Sequence, residues 1–239
     1  SLSSFFLVIQ EHERPGVRQA GLHYLIAMHV SFILLLLATV LSGASAFSDL
    51  SAVLSGNAAL VLLFIGGFAV KSGLMPFHGW LPEAYPAAPA HATAIMSAVM
   101  SKLGIYGIVR IVTATGVGEL VPALVVLVLS VVTAVCGIIY AVSRRDLKEM
   151  LAYSSIENIG IIGIAIGTAM LGSALGSPGL VVAGSAGLLF QVICHALYKT
   201  TLFCGAGAVE AACGTRDFEK LGGLAQRLPR TATAFFLMA

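Results

Sequence analysis

Hydrophobic residues in this chain come in long unbroken runs, without the strict alternation of a half-buried strand or the narrow stripe of an amphipathic helix. Reading those runs between polar breaks predicts six full spans, near Ala20 to Leu41, Ala58 to Trp80, His91 to Thr113, Leu120 to Val142, Leu151 to Leu171 and Leu180 to Ala206. Each is about long enough to cross a hydrocarbon core of ~30 Å as a helix. A helix end at Ser1 to Gln10 precedes them and an apolar start at Pro229 to Ala239 follows. The loops between them, such as Leu81 to Ala90, Ala114 to Glu119 and Ser143 to Glu149, leave no room for a separate soluble domain. The chain starts without Met and stops inside an apolar run, so residues 1–239 read as the central part of one membrane domain with both ends cut.

Composition agrees with the pattern. The 239 residues are 58% hydrophobic and only 10% charged, with a mean hydropathy of +0.98, whereas soluble domains carry about 25% charged residues. An all-α, polytopic transmembrane bundle follows. A transmembrane barrel is disfavoured, because its strands alternate apolar and polar residues. No nucleic-acid partner is expected. The four cysteines, Cys136, Cys194, Cys204 and Cys213, lack the spacing of a metal or redox motif and read as small packing residues.

The placement of basic residues tests the span count. If the six spans alternate, one face receives Arg14, Arg18, Arg144, Arg145, Lys148, Arg216, Lys220, Arg227 and Arg230, and the other only Arg110. The remaining three of the thirteen, Lys71, Lys102 and Lys199, fall inside the membrane. Positive charge gathers on the cytoplasmic side of membrane proteins. The Arg144, Arg145 and Lys148 loop is therefore expected on the cytoplasmic side of a cell inner membrane.

Candidate chemistry lies with the buried charges. Lys71 and Lys102 sit near the middle of two predicted spans joined by a proline-rich turn, and an ammonium at that depth must face other helices, water or a partner charge. Pro76 lies in the first of those spans, where a proline removes a backbone donor and breaks the helix, freeing the Ser72 carbonyl. Burial favours a neutral lysine and a nearby carboxylate a charged one, so a buried lysine can be poised to switch. A structural lysine paired with an acid is the plainer alternative. Gln191, His195 and Lys199 are spaced i, i+4, i+8, on one helix face, either as a hydrogen-bonded wire or as contacts gluing helices. Glu157, beside Ser154, Ser155 and Asn158, reads equally as a water-access group or as a partner for Arg144 or Lys148. His91, His23 and His29 read as interface or packing residues, and Trp80 as an interface anchor.

Taken together, four stretches resemble the antiporter-like membrane subunits of respiratory complex I, of Mrp-type sodium/proton antiporters and of group 4 hydrogenases. They are KSGLMPFHGWLPEA (Lys71 to Ala84), SKLGIYGIVR (Ser101 to Arg110), RRDLKEMLAYSSIENIG (Arg144 to Gly160) and HALYKTTLF (His195 to Phe203). The resemblance implies two inverted five-helix repeats, each with a broken helix, and proton conduction along lysines, histidines and water. It places Lys71 on the first broken helix, Lys102 on the next helix, and His195 and Lys199 on the central axis. The acid pairing with Lys71 would precede Ser1, and the lysine of the second broken helix would follow Ala239. Met96 and Gln191 stand where some complex I members have histidine. The acid at Glu157 is similar to the large membrane subunit of hydrogenase-4 and formate hydrogenlyase.

The expected function is a non-catalytic, proton-translocating subunit of a redox-driven complex, of hydrogenase-4/formate hydrogenlyase or NADH:quinone oxidoreductase type. Its partners would be other membrane subunits, a peripheral redox arm and the lipid bilayer. No cofactor or metal is expected in this chain, which offers no cluster or haem ligands of the usual spacing. The first alternative is an Mrp-type sodium/proton antiporter subunit, which needs a carboxylate for sodium near mid-membrane; Glu157 is off centre. The second is a membrane anchor, against which three buried lysines argue.

Overall fold

The computed structural model describes residues 2–44, 46, 49–115 and 119–238. Residues 116–118 of the expected Ala114 to Glu119 loop lie outside them, as do Ser1 and Ala239. The helices in order are α1 (Leu2–Val8), α2 (Val17–Ser42), α3 (Leu50–Leu54), α4 (Ala58–Ser72), α5 (Leu81–Ala87), α6 (Ala90–Ile95), α7 (Ser101–Thr115), α8 (Leu120–Val142), α9 (Leu147–Ala174), α10 (Pro178–Cys213), α11 (Leu224–Arg227) and α12 (Pro229–Met238). A π-helical turn, Met96–Met100, joins α6 to α7. No β-strand occurs among the described residues, whose one isolated bridge pairs Asp146 with Asp217. Among the described residues, five helical stretches are long and apolar enough to cross a membrane, Val17–Ser42, Ala90–Thr113, Leu120–Val142, Leu147–Ala174 and Pro178–Cys213.

The sixth expected span differs. α4 stops at Ser72, so Lys71 stands in its last turn rather than mid-span, and Pro76 lies past the helix end, not within it. The break begins at Gly73, whose left-handed φ of 87° ends the helix while its N–H bonds the Ala69 carbonyl. Irregular backbone inside a bilayer must find partners on neighbouring elements. Here the Met75 N–H donates to the Thr133 hydroxyl of α8 at 3.1 Å, and the Trp80 indole folds back to donate to the Val70 carbonyl at 3.0 Å. Trp80 is therefore a buried strut of the break and not an interface anchor. The chain then resumes as α5.

α9 begins at Leu147, earlier than expected, because Asp146 caps it by accepting from the N–H groups of Lys148 and Glu149 at 2.8 and 3.0 Å. Lys148 is thus in the first turn of a helix and buried, not in an exposed basic loop. α8 and α9 pack through glycines. A Cβ on Gly160 would sit 2.8 Å from Ala134 Cα, and one on Gly137 2.7 Å from Glu157 Cα, so small residues let these backbones approach. The cysteines form no disulfide and none is fully buried, Cys204 being exposed, so the packing role expected of them holds only in part. The outward faces of α2 and α8 carry exposed Ile, Leu and Val side chains, as apolar surroundings require.

Four of the loops assigned to one face by alternation do meet. Glu210, near the end of α10, pairs with Lys148 at 3.1 Å, with Arg14 at 3.2 Å and with Arg216 at 3.8 Å. Arg216 also pairs with Asp146 at 2.9 Å and donates to the Pro86 carbonyl at the end of α5, while Lys148 donates to the Ala88 carbonyl. We call this end of the bundle the basic face.

Candidate functional site

The polar interior is built where α7, α9 and α10 meet. The π turn before α7 widens the backbone ladder, with Ser101 N–H reaching the Met96 carbonyl. The Ser97 carbonyl accepts from the Ser101 hydroxyl at 3.0 Å and from the ammonium of Lys102. Lys102 Nζ also meets His195 Nδ1 on α10, and both side chains are buried. This contact joins residues 93 positions apart in sequence. It survives proton exchange in either direction, because an ammonium donates to an unprotonated ring nitrogen and a protonated ring nitrogen donates to a neutral amine. His195 Nε2 is buried without a hydrogen-bond partner among the described residues.

One turn further along α10, Lys199 is fully buried and donates to the Leu151 carbonyl of α9 at 3.1 Å. Lys102, His195 and Lys199 lie close enough that each charge is felt by its neighbours. In a low-dielectric interior like charges at such range repel strongly. Gln191 joins the same side of α10 but bonds Asn158 on α9, at 2.6 Å, and Tyr198 donates to the same Asn158 oxygen at 2.5 Å. Asn158, noted in the sequence only as a polar neighbour of Glu157, is thus the acceptor that ties α9 to α10. Ser97 and Ser155 hydroxyls, 3.1 Å apart, tie the π turn to α9.

Glu157 is half-buried and accepts weakly from Ser154 at 3.4 Å. It pairs with neither base proposed for it, since Arg144 reaches Glu149 at 4.0 Å and Lys148 is held by Glu210. It interacts electrostatically with Tyr198 and Lys199 instead. Lys71 stands apart from this cluster. It lines a small inner cavity with Tyr24, Met28, Trp80, Met96 and Met100, and no acid pairs with it among the described residues. Met96 and Met100 belong to the π turn that carries the chain on to Lys102. Pro76 is exposed beside the break. No group of three or more potential metal ligands occurs among the described residues.

Comparison with known proteins identifies the family and the fold. The whole chain, residues 1–239, matches the family described as NADH:quinone oxidoreductase/Mrp antiporter, TM. It is 42% identical to hydrogenase-4 component B of Escherichia coli (strain K12) over 245 residues, covering 98% of this chain and 36% of that protein. Among solved structures it is similar to a chain of the membrane-bound sulfane sulfur reductase, an archaeal respiratory membrane complex, with a TM-score of 0.86, 26% identity and coverage of 99% and 48% of the two chains. It is also similar to a chain of the Mrp complex from Dietzia sp. DQ12-45-1b, with a TM-score of 0.79, 26% identity and coverage of 94% and 41%. The chain therefore spans well under two thirds of these relatives' length, and the relatives are parts of multisubunit membrane complexes. On the match over its full length, the chain belongs to the NADH:quinone oxidoreductase/Mrp antiporter transmembrane family.

Proposed function

We propose that this chain is part of a proton-translocating subunit of a redox-driven membrane complex, in which protons pass between Lys71, Lys102, His195 and Lys199. The observation that carries the reading is the buried contact between Lys102 and His195 across two spans. Each group can hold or release the proton without losing the contact. A charge arriving on one destabilises charge on the next, which supplies a push along the axis. Lys71 begins the axis at the broken helix, and Glu157 acts as a carboxylate beside Lys199 where water reaches α9. Pro76 helps keep the segment after Gly73 from re-entering a helix. We place the basic face on the cytoplasmic side of a cell inner membrane, by the bias of nine lysines and arginines to that face. The remaining subunits, including a peripheral redox arm, supply the electron chemistry, and residues 1–239 form one part of a single antiporter-like domain.

The likeness to the Mrp complex favours a second reading, sodium/proton exchange. Both are tested in sealed vesicles carrying the full-length protein in its complex, with redox turnover and proton uptake followed in one sample. Lys102→Ala is expected to lower uptake about tenfold or more while turnover continues, as for loss of a positioned proton-transfer group. Unchanged uptake would remove Lys102 from the path. Uptake that depends on sodium rather than on redox turnover would favour the exchanger.

A further inference from the structure

The route by which a proton reaches Lys71 is not given by the axis itself, and three adjoining recesses in the structure supply one. The outermost opens at the basic face, between Arg14, Glu149 and Arg216, and has Glu83 in its wall. Glu83 also lines a second recess along the side of α2, together with His23, Val70, Phe77 and Trp80. Trp80 in turn forms a wall of the inner cavity that holds Lys71. His23 lies six residues into α2, about 9 Å from its start at the basic face at 1.5 Å per residue, and Lys71 lies in the last turn of α4.

His23 Nδ1 and Glu83 Oε2 are in direct contact where the first two recesses join. Both side chains are a little under half exposed, at 44% and 46%. Two groups that can each carry a proton, placed in contact on the flank of an apolar helix and one aromatic ring away from the half-buried Lys71, are poorly explained as surface decoration. The flanking sequence of α2 is Leu22, Tyr24, Leu25 and Ile26.

We infer that the His23–Glu83 pair is the proton-access site through which Lys71 is loaded from the basic face. This rests on the proton-translocating function proposed above. A proton from the outer recess is held by the pair, as imidazolium with carboxylate or as imidazole with carboxylic acid. It passes by water around Trp80 to the neutral Lys71 amine, which becomes ammonium, and the pair returns to imidazole with carboxylate. The other charged groups facing this pair's recesses are Arg14, Glu149 and Arg216. Both arginines are already held by acids, Arg14 by Glu11 and Glu210 and Arg216 by Asp146 and Glu210, whereas Glu83 is in contact with the titratable His23.

The test uses the full-length protein in its complex, in sealed vesicles, with Glu83→Gln, Glu83→Asp, His23→Gln and Lys102→Ala compared with wild type. Glutamine keeps a hydrogen-bonding partner for His23 but cannot carry a proton. Glu83→Gln is expected to slow proton translocation about tenfold or more, with part of the rate regained as the pH on the basic face is lowered, while Glu83→Asp retains most of it. His23→Gln is expected to slow it several-fold, and it decides the matter if Glu83→Gln does not assemble. Wild-type rates in both glutamine variants, with Lys102→Ala inactive, would overturn the access site and leave the proposed function standing. Wild-type rates in Lys102→Ala as well would bring down the function itself.

Discussion

At the scale of single residues, the interior is ordered by a few acceptors that each serve several donors. Asn158 receives both Gln191 and Tyr198. Replacing it by leucine leaves two donors without their acceptor, and each unsatisfied buried group costs about 1–3 kcal/mol. Asn158→Leu should therefore lower the thermal unfolding midpoint of the detergent-solubilised protein, and an unchanged midpoint would show that water replaces the lost bonds. The residue types of this cluster were legible in the sequence, because lysine, histidine and glutamine at helical spacing within an apolar run stand out. Their partners were not. His195 could be placed on a face of α10, but nothing in a one-dimensional pattern ties it to Lys102, 93 residues away. Glu157 shows the same limit, since the bases adjacent to it in sequence are taken by Glu149 and Glu210.

At the scale of elements, helix existence followed from the apolar runs while helix ends followed from local chemistry that the runs hide. Hydrophobicity continues from Ala58 to Trp80, and yet the helix ends at Gly73, because a left-handed glycine terminates it before the proline is reached. Of the apolar residues beyond, Leu74, Met75 and Trp80 are buried in an irregular segment held by Thr133 and Val70, while Pro76 and Phe77 are exposed. The glycines of α8 and α9 act at this scale too. Gly160→Leu would force the Ala134 backbone away, and because small residues set the approach of membrane helices, the variant should fail to accumulate as a folded protein in the membrane. Normal accumulation would show that α8 and α9 can separate without loss of the fold.

At the scale of the whole molecule, the charged residues of the basic face act as one clasp. Glu210 holds Lys148, Arg14 and Arg216, and two of these donors, Arg216 and Lys148, also satisfy carbonyl oxygens at the end of α5. The sorting of lysines and arginines by side anticipated which loops gather, but not that Lys148 would be buried among them. Glu210→Ala leaves that lysine buried without its acid, a change that costs about 3–5 kcal/mol when a buried pair is broken. A fall in the unfolding midpoint much larger than for the exposed pair of Arg145 with Glu219 is expected; equal effects would mean that the clasp adds no more than a surface ion pair.

The axis from the broken helix inward is tested most directly by counting protons taken up per electron pair in sealed vesicles, for wild type and for Lys71→Ala in the assembled complex. Lys71 is half-buried and, unlike Lys102 and Lys199, donates no hydrogen bond among the described residues, so its removal disturbs packing least. A sharp fall in protons per electron pair, with redox turnover and assembly retained, is the result this account predicts. An unchanged ratio would contradict it, making Lys71 a packing residue and removing the broken helix from the proton path.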